Sequence, residues 1–340
     1  MLRAFTARRI ATAAAYGGGG LTAVGGLTFG LIVVEARLAR KIIQATPNGD
    51  PPVADGAYGT ALPGEALSFV VLGDSTAAGL GVHTPEETPA ALLAAGLSSI
   101  AGRPVRLTNV ARSGSRSDAL AGQVTQALAV RPDVAVVMIG ANDVTARMPA
   151  GESVRHLAAA VERLRAAGCE VVVGTCPDLG SVQPLMQPLR WFARRASRQL
   201  AAAQTIVAVE RGARSVSIGD LLGREFAADP REMFSADRYH PSARGYAAAA
   251  AAMLPSMAAA LDLEPELEVL PDPRRGEGVL PVYLAAAEAA EEPGTEVAGT
   301  RVAGRERGPR GRWATLLRRR GVDRAAGSGG GPAAVTPGAR

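Results

Sequence analysis

VVLGDSTAAG occupies residues 70–79. Its first three residues continue an apolar run that starts at Leu67, and Gly73, Asp74 and Ser75 cut that run off before a stretch of small residues. A run of this length, rich in valine, reads as a strand buried on both faces, and the break after it reads as a tight turn into a helix. Ser75 therefore falls at the carboxyl end of a strand. There it is either the N-cap of the next helix or a nucleophile presented on a turn, and the tripeptide alone does not separate the two.

The same alternation continues along the chain. LSFVVL (67–72), VRLTNV (105–110), VAVVMI (134–139), EVVVGT (170–175) and SVSI (215–218) are strand candidates, with alanine-rich pieces of helical length at 88–101, 117–130, 152–167 and 187–211 between them. A last helix is expected after Pro241, with Ser242 near its start. This pattern predicts an α/β fold with a five-stranded parallel sheet covered by crossover helices. Ligands of such sheets bind outside the carboxyl ends of the strands, where Ser75, Gly114, Asn142 and His240 would collect.

The 340 residues are 47% apolar and 20% charged, the balance of a globular protein. The net charge is +5, but a block of arginines lies in the last forty residues and leaves the middle near neutral, so a nucleic-acid-binding core is not expected. Aromatic residues are only 4%, so packing must rely on aliphatic and small side chains. Cys169 and Cys176 bracket one strand candidate, which would hold them roughly 23 Å apart. They read as two buried free thiols, with no metal-ligand spacing around them.

The two ends differ from the middle. Residues 10–34 carry no charge and are long enough to cross a membrane as a helix, with Arg3, Arg8 and Arg9 before them and Arg37, Arg40 and Lys41 after. Residues 1–41 are therefore expected to be an export signal or membrane anchor. VEA (34–36) is a modest cleavage site, and the flanking charges leave the orientation open. Residues 42–65 read as a linker and 66–262 as the working domain. The block 263–340, acidic and then basic with interspersed Pro and Gly, reads as a disordered charged tail. Within it RWATLLRRR (312–320) is an amphipathic candidate for anionic lipid, set against a plain solvated tail.

A serine hydroxyl needs a base to take its proton, and acyl transfer needs donors aimed at the oxyanion. The histidines are His83, His156 and His240. His240 stands three residues after Asp237 in SADRYHPSARGY, a spacing that lets the carboxylate reach Nδ1 while Nε2 faces a serine. The Gly114 amide in ARSGSRS and the Asn142 side chain in IGAND are candidate oxyanion donors. Asp74 and Asp143 are expected to hold loops through backbone amides rather than to add acid chemistry. His156 reads as part of a solvated helix face and His83 as incidental.

GDS after the first strand, Gly after the second, GxND after the third and DxxH before the last helix together resemble the SGNH, or GDSL-type, hydrolase family over about residues 66–260. The first block lacks the leucine of the family name, and Ala141 fills the variable position of the third. The stretch CPDLGSVQPLMQPLRWFARRASRQLA further resembles exported actinobacterial members. The resemblance implies a three-layer α/β/α flavodoxin-like fold, a Ser75, His240 and Asp237 triad, and an oxyanion hole from Ser75, Gly114 and Asn142. It implies hydrolysis of a carboxylic ester or thioester through an acyl-enzyme, with no cofactor and no metal. The substrate would be a small-molecule or lipid ester. Met186, Trp191 and Phe192 would either line an acyl channel or sit in the core. The rival from another class is a catalytically silent envelope module that binds acyl or carbohydrate ligands in the same pocket. A third expectation makes the tail an adaptor and the domain its scaffold.

Overall fold

The computed structural model describes residues 30–39, 41–43, 45, 49–218, 229–263, 278–292, 294–300 and 313–318. Among the described residues nine strands form one mixed sheet: β1 (Gly56–Tyr58), β2 (Leu67–Gly73), β3 (Val105–Asn109), β4 (Val134–Met138), β5 (Glu170–Gly174), β6 (Arg214–Val216), β7 (Gly278–Pro281), β8 (Thr295–Thr300) and β9 (Trp313–Arg318). Their order is β1-β3-β2-β4-β5-β6-β8-β9-β7. The sheet is thus not the expected five-stranded parallel one. A parallel block, β3-β2-β4-β5-β6, forms its middle, with β1 antiparallel on one side and β8, β9 and β7 antiparallel on the other. Numbered along the chain, the parallel strands lie in the order 2-1-3-4-5, which reverses direction between β2 and β4.

Successive residues of each central strand face two different cores, as the period of two demands. Phe69, Val71, Val134, Val136 and Val172 pack against α2 (Pro89–Ala101) and α8 (Ala243–Ala260). Val70, Leu72, Val137, Val171 and Val173 pack against α3 (Leu120–Leu128), α5 (Ala150–Ala166) and α6 (Leu189–Glu210). Helices therefore cover both faces, and the valine runs are apolar throughout because neither face meets water. The helices start where the sequence supplies caps. Thr88 accepts from the Ala91 amide ahead of Pro89, and Ser242 accepts from the Gly245 amide ahead of α8.

Two assignments made from composition change. Part of the expected linker is structured, because β1 pairs with β3 and Asp55 Oδ1 accepts the Asn109 amide at 2.7 Å. The expected disordered tail is, over its described residues, an extension of the sheet. Here α9 (Val282–Ala289) packs Val282, Ala285 and Ala289 against Val297, Ala314 and Leu316 of the added strands and against Val209 of α6. Charge does not prevent this, since the fully buried Glu296 carboxylate pairs with Arg214 at 2.7 Å. Most of the stretch proposed as a lipid-binding amphipath is strand β9. Residues 10–29, most of the uncharged run, lie outside the described residues. Among the described residues no helix is long and apolar enough to cross a membrane.

Candidate active site

The site forms where the strand order reverses, at the carboxyl ends of β2, β3 and β4. Strand β2 ends at Gly73, and the chain turns at once into the short helix α1 (Ser75–Ala78). The turn is tight because Gly73 has φ +143° and lies so close to β4 that a Cβ there would come within 1.9 Å of the Met138 carbonyl oxygen. Asp74 caps α1, its Oδ1 accepting the Thr76 amide at 2.9 Å. Capping thus belongs to Asp74, and Ser75 is left with its hydroxyl aimed across the sheet.

That hydroxyl lies 2.9 Å from His240 Nε2, and His240 Nδ1 lies 2.6 Å from Asp237 Oδ2. A carboxylate facing Nδ1 can only accept, so Nδ1 carries the proton and Nε2 is left to accept from the serine. Asp237 is itself fixed. Its Oδ1 accepts from the Ser235 hydroxyl at 2.7 Å and from the amides of Tyr239 and His240 at 2.9 Å each. Burial pushes this carboxyl up, but the His240 hydrogen bond and charge, with the two backbone amides, outweigh it and bring it down to about 2. All three side chains are buried or nearly so, which strengthens these contacts.

The expected oxyanion donors stand on segments tied to this turn, since Gln123 Nε2 reaches both the Gly73 carbonyl and the Ser115 hydroxyl. Among the described residues no backbone carbonyl outside the helices and strands takes the Ser75 or the Gly114 amide. Gly114 has φ +80° with open space where a side chain would be, so backbone conformation rather than crowding calls for glycine there. Asn142, in α4 (Ala141–Thr145), donates one Nδ2 hydrogen to the Ser115 carbonyl at 3.0 Å, which ties its amide to the Gly114 loop and leaves its second hydrogen available. Asp143 holds the same loop from behind. It accepts the Ser117 amide at 2.8 Å, the Ser117 hydroxyl, and the Ser153 hydroxyl at 2.7 Å. Asp74 and Asp143 therefore act on backbone amides, as their burial requires. Burial raises Asp74 to about 6, against the Thr76 and Gly140 amides and the His240 charge, which lower it.

Two buried glutamines, unmarked in the motifs, brace this edge. Gln123 on α3 accepts the Gly73 amide at 2.8 Å and donates to the Gly73 carbonyl at 2.9 Å. Gln204 on α6 does the same between strands, taking the Cys176 amide at 2.7 Å and giving to the Ile139 carbonyl at 2.9 Å. The signal was present, because each stands among Leu, Val and Ala on the apolar stripe of its helix. The remaining candidates lie elsewhere. His83 is exposed, His156 is half-buried on α5, and both cysteines are buried free thiols. Met186, Trp191 and Phe192 are neither core nor enclosed channel, standing 59%, 52% and 45% exposed around the start of α6. A cleft of about 530 Å³ opens beside Asp237, made cationic by Arg231 and Arg238 among its lining residues.

Residues 71–248 match the GDSL-like Lipase/Acylhydrolase family. A GDSL-like esterase of Mycobacterium tuberculosis, Rv1075c, is 41% identical over 257 residues, 72% of this chain and 81% of that one. The chain belongs to the GDSL-like lipase/acylhydrolase family. It is a serine hydrolase of the SGNH type, acting on carboxylic esters. Solved structures similar to this esterase include a catalytic mutant of the acetylxylan esterase Axe2 from Geobacillus stearothermophilus, at 17% identity and TM-score 0.46 over 59% of this chain and 97% of that one. A structure of TesA is similar at 25% identity and TM-score 0.43, over 58% of this chain and 99% of that one.

Proposed function

We propose that the enzyme cleaves its ester through an acyl-enzyme on Ser75, with His240 as general base and then general acid, and Asp237 as the group that orients the ring. The hydrogen-bonded line from Ser75 through His240 to Asp237, 2.9 Å and then 2.6 Å, carries this proposal. His240 Nε2 takes the hydroxyl proton as Ser75 Oγ attacks the ester carbonyl. The oxyanion that forms is held by the Ser75 and Gly114 amides and the Asn142 amide group. His240 returns the proton to the departing alcohol, and water then repeats the sequence against the acyl-enzyme. Each oxyanion donor is worth on the order of 3 kcal/mol at the transition state.

Short acyl esters fit the site best, because the large apolar side chains that follow β5 stand out on the surface instead of walling Ser75. A silent binding module is disfavoured by the same line of contacts, since binding alone does not call for a serine, an imidazole and a buried carboxylate in register. The uncharged run at 10–34 supports placement at the cell envelope. Purified enzyme should hydrolyse p-nitrophenyl acetate and butyrate, with turnover falling as the acyl chain lengthens. Ser75→Ala should reduce the rate by about 10³-fold or more with the fold intact by circular dichroism. Equal turnover by the two proteins would remove the mechanism.

A further inference from the structure

Residues 30–39 and 41–43 are helical and lie against the domain. The inward face carries Glu35 and Ala39, both buried, and Glu35 Oε2 accepts the amide of Leu189, the first residue of α6, at 3.0 Å. A carboxylate at a helix amino terminus is favoured by the unsatisfied amides there, so this contact anchors the segment. Bordering this face, Leu31, Val34, Leu38 and Ile42 are spaced by three and four residues in one stripe and are 49%, 59%, 47% and 39% exposed. Across the capped end of α6 stand Met186, Trp191 and Phe192, the two rings edge to face at 4.8 Å. These seven side chains are half of all the large apolar ones that the described residues expose. A chain with only two tryptophans places one of them here, half in the open.

The rim of this surface is cationic. Arg37, Lys41 and Arg195 are exposed around it, with Arg194 beside them paired to Asp178, and the Arg195 guanidinium lies 5.9 Å from the centre of the Trp191 ring. No acidic residue occurs in the sequence between Glu35 and Asp50 or between Asp178 and Glu210. Of those acids, Glu35 is spent on the helix cap and Asp178 on Arg194 and Arg198. The uncharged run 10–34 feeds directly into the stripe.

We propose that this surface docks the folded domain onto an anionic lipid bilayer. An apolar centre with a half-exposed tryptophan and a ring of arginine and lysine matches the headgroup boundary of such a membrane. A second copy of the chain fits less well, because a two-fold contact would set one cationic rim against another. Docking also orients the site. Leu185, next to Met186, packs in one cluster with Val182, Ala141 and Tyr239, the last two adjacent in sequence to Asn142 and His240. One cluster of side chains thus joins the base of this surface to the residues beside the triad, and esters presented at the membrane are the substrates favoured by docking. This last consequence rests on the proposed esterase mechanism, while the docking does not.

Trp191 fluorescence in the full-length protein tests it. The signal of Trp191 is the difference between wild type and Trp191→Phe. With vesicles of three parts phosphatidylglycerol to seven of phosphatidylcholine, that signal should shift to the blue. It should fall at least twofold when the acyl chains are brominated, and both effects should weaken in phosphatidylcholine alone or in high salt. A double variant, Val34→Ser with Leu38→Ser, should lose most of the quenching. It should also hydrolyse vesicle-borne tributyrin several-fold more slowly, with soluble p-nitrophenyl acetate turned over as by wild type. Vesicle binding without quenching of Trp191 overturns the proposal, since the uncharged run could bind by itself. Blue emission without lipid also overturns it, assigning the surface to a second copy if it depends on concentration and to the chain's own amino-terminal residues if it does not. Loss of ester hydrolysis with quenching intact would overturn the catalytic consequence and leave the docking standing.

Discussion

At the scale of single residues, two aspartates near Ser75 are held in opposite ways. Asp237 has three donors on one oxygen and an imidazole on the other, so its folded-state proton affinity lies below that of a free carboxyl. Its contribution to stability is present above the unfolded pKa near 3.9 and is lost as pH falls through about 2. Asp237→Asn removes the acceptor that fixes the tautomer of His240 and should cut kcat by roughly 10³- to 10⁴-fold with little change in KM, as steady-state kinetics would show. Asp74 is the reverse case. Its folded pKa of about 6 means that the native state binds a proton more readily than the unfolded chain, so the stability this provides is full below about 3.9 and is lost as pH rises through 6. The loss amounts to about 3 kcal/mol at most. Urea unfolding at pH 4.5 and 7.5 should show a decline in wild type that is flattened in Asp74→Asn.

At the scale of elements, the loop after β3 is where positioning matters most. It has no helix or strand between residues 110 and 116, yet the proposed mechanism asks it to present the Gly114 amide. Asp143 supplies the order by holding Ser117 through both amide and hydroxyl, and α5 joins the same network through Ser153. Asp143→Ala should therefore lower kcat about tenfold, a loss of about 1.4 kcal/mol at the transition state, with a smaller change in KM. Asp143→Asn should recover part of it, because one oxygen remains to accept the Ser117 amide. The Ser117 amide, buried and orphaned in the alanine variant, should also cost about 1–3 kcal/mol in chemical denaturation.

At the scale of the whole molecule, the sheet has two separate tasks. The parallel block brings Ser75, Gly114 and Asn142 to one edge, and the antiparallel extension closes the far side of that block beyond β6. Removing residues 264–340 would strip α9 and the three added strands from β6, bare Val209 and Ile206 of α6, and leave Arg214 without Glu296. The truncated enzyme should melt at least about 5 °C lower and aggregate through the open edge of β6, as thermal scanning and gel filtration would reveal. The fraction that stays folded should keep its kcat, because among the described residues the extension packs on α6 and β6 and not on the proposed triad or oxyanion groups.

Much of this is visible in the linear chain for a plain reason. Strands covered on both faces must be apolar at every position, so LSFVVL and VAVVMI announce themselves, and the five central strands and their crossover helices lie within a few residues of where the pattern places them. The site residues are legible too, since strand ends and helix starts put GDS, the Gly114 loop, IGAND and DxxH at one edge. The extension was hidden because its strands are short, mixed in polarity and interrupted by Gly and Pro. They exist only through pairing with distant partners, Val297 with Ser215 and with Leu316, which composition does not report.

The sequence alone thus determined the repeating strand and helix units, the order in which they bring chemistry to the sheet edge, and the residue types available there. Local pattern suffices for that, because burial and turn chemistry act on neighbours in the chain. Folding in three dimensions settles that Asp74 rather than Ser75 caps the first short helix, that Gln123 and Gln204 brace the turns, and that a charged carboxyl-terminal stretch extends the sheet. Each of these depends on contacts between residues tens to more than a hundred positions apart or on the direction of one side chain in a folded turn, and neither is written in spacing or composition.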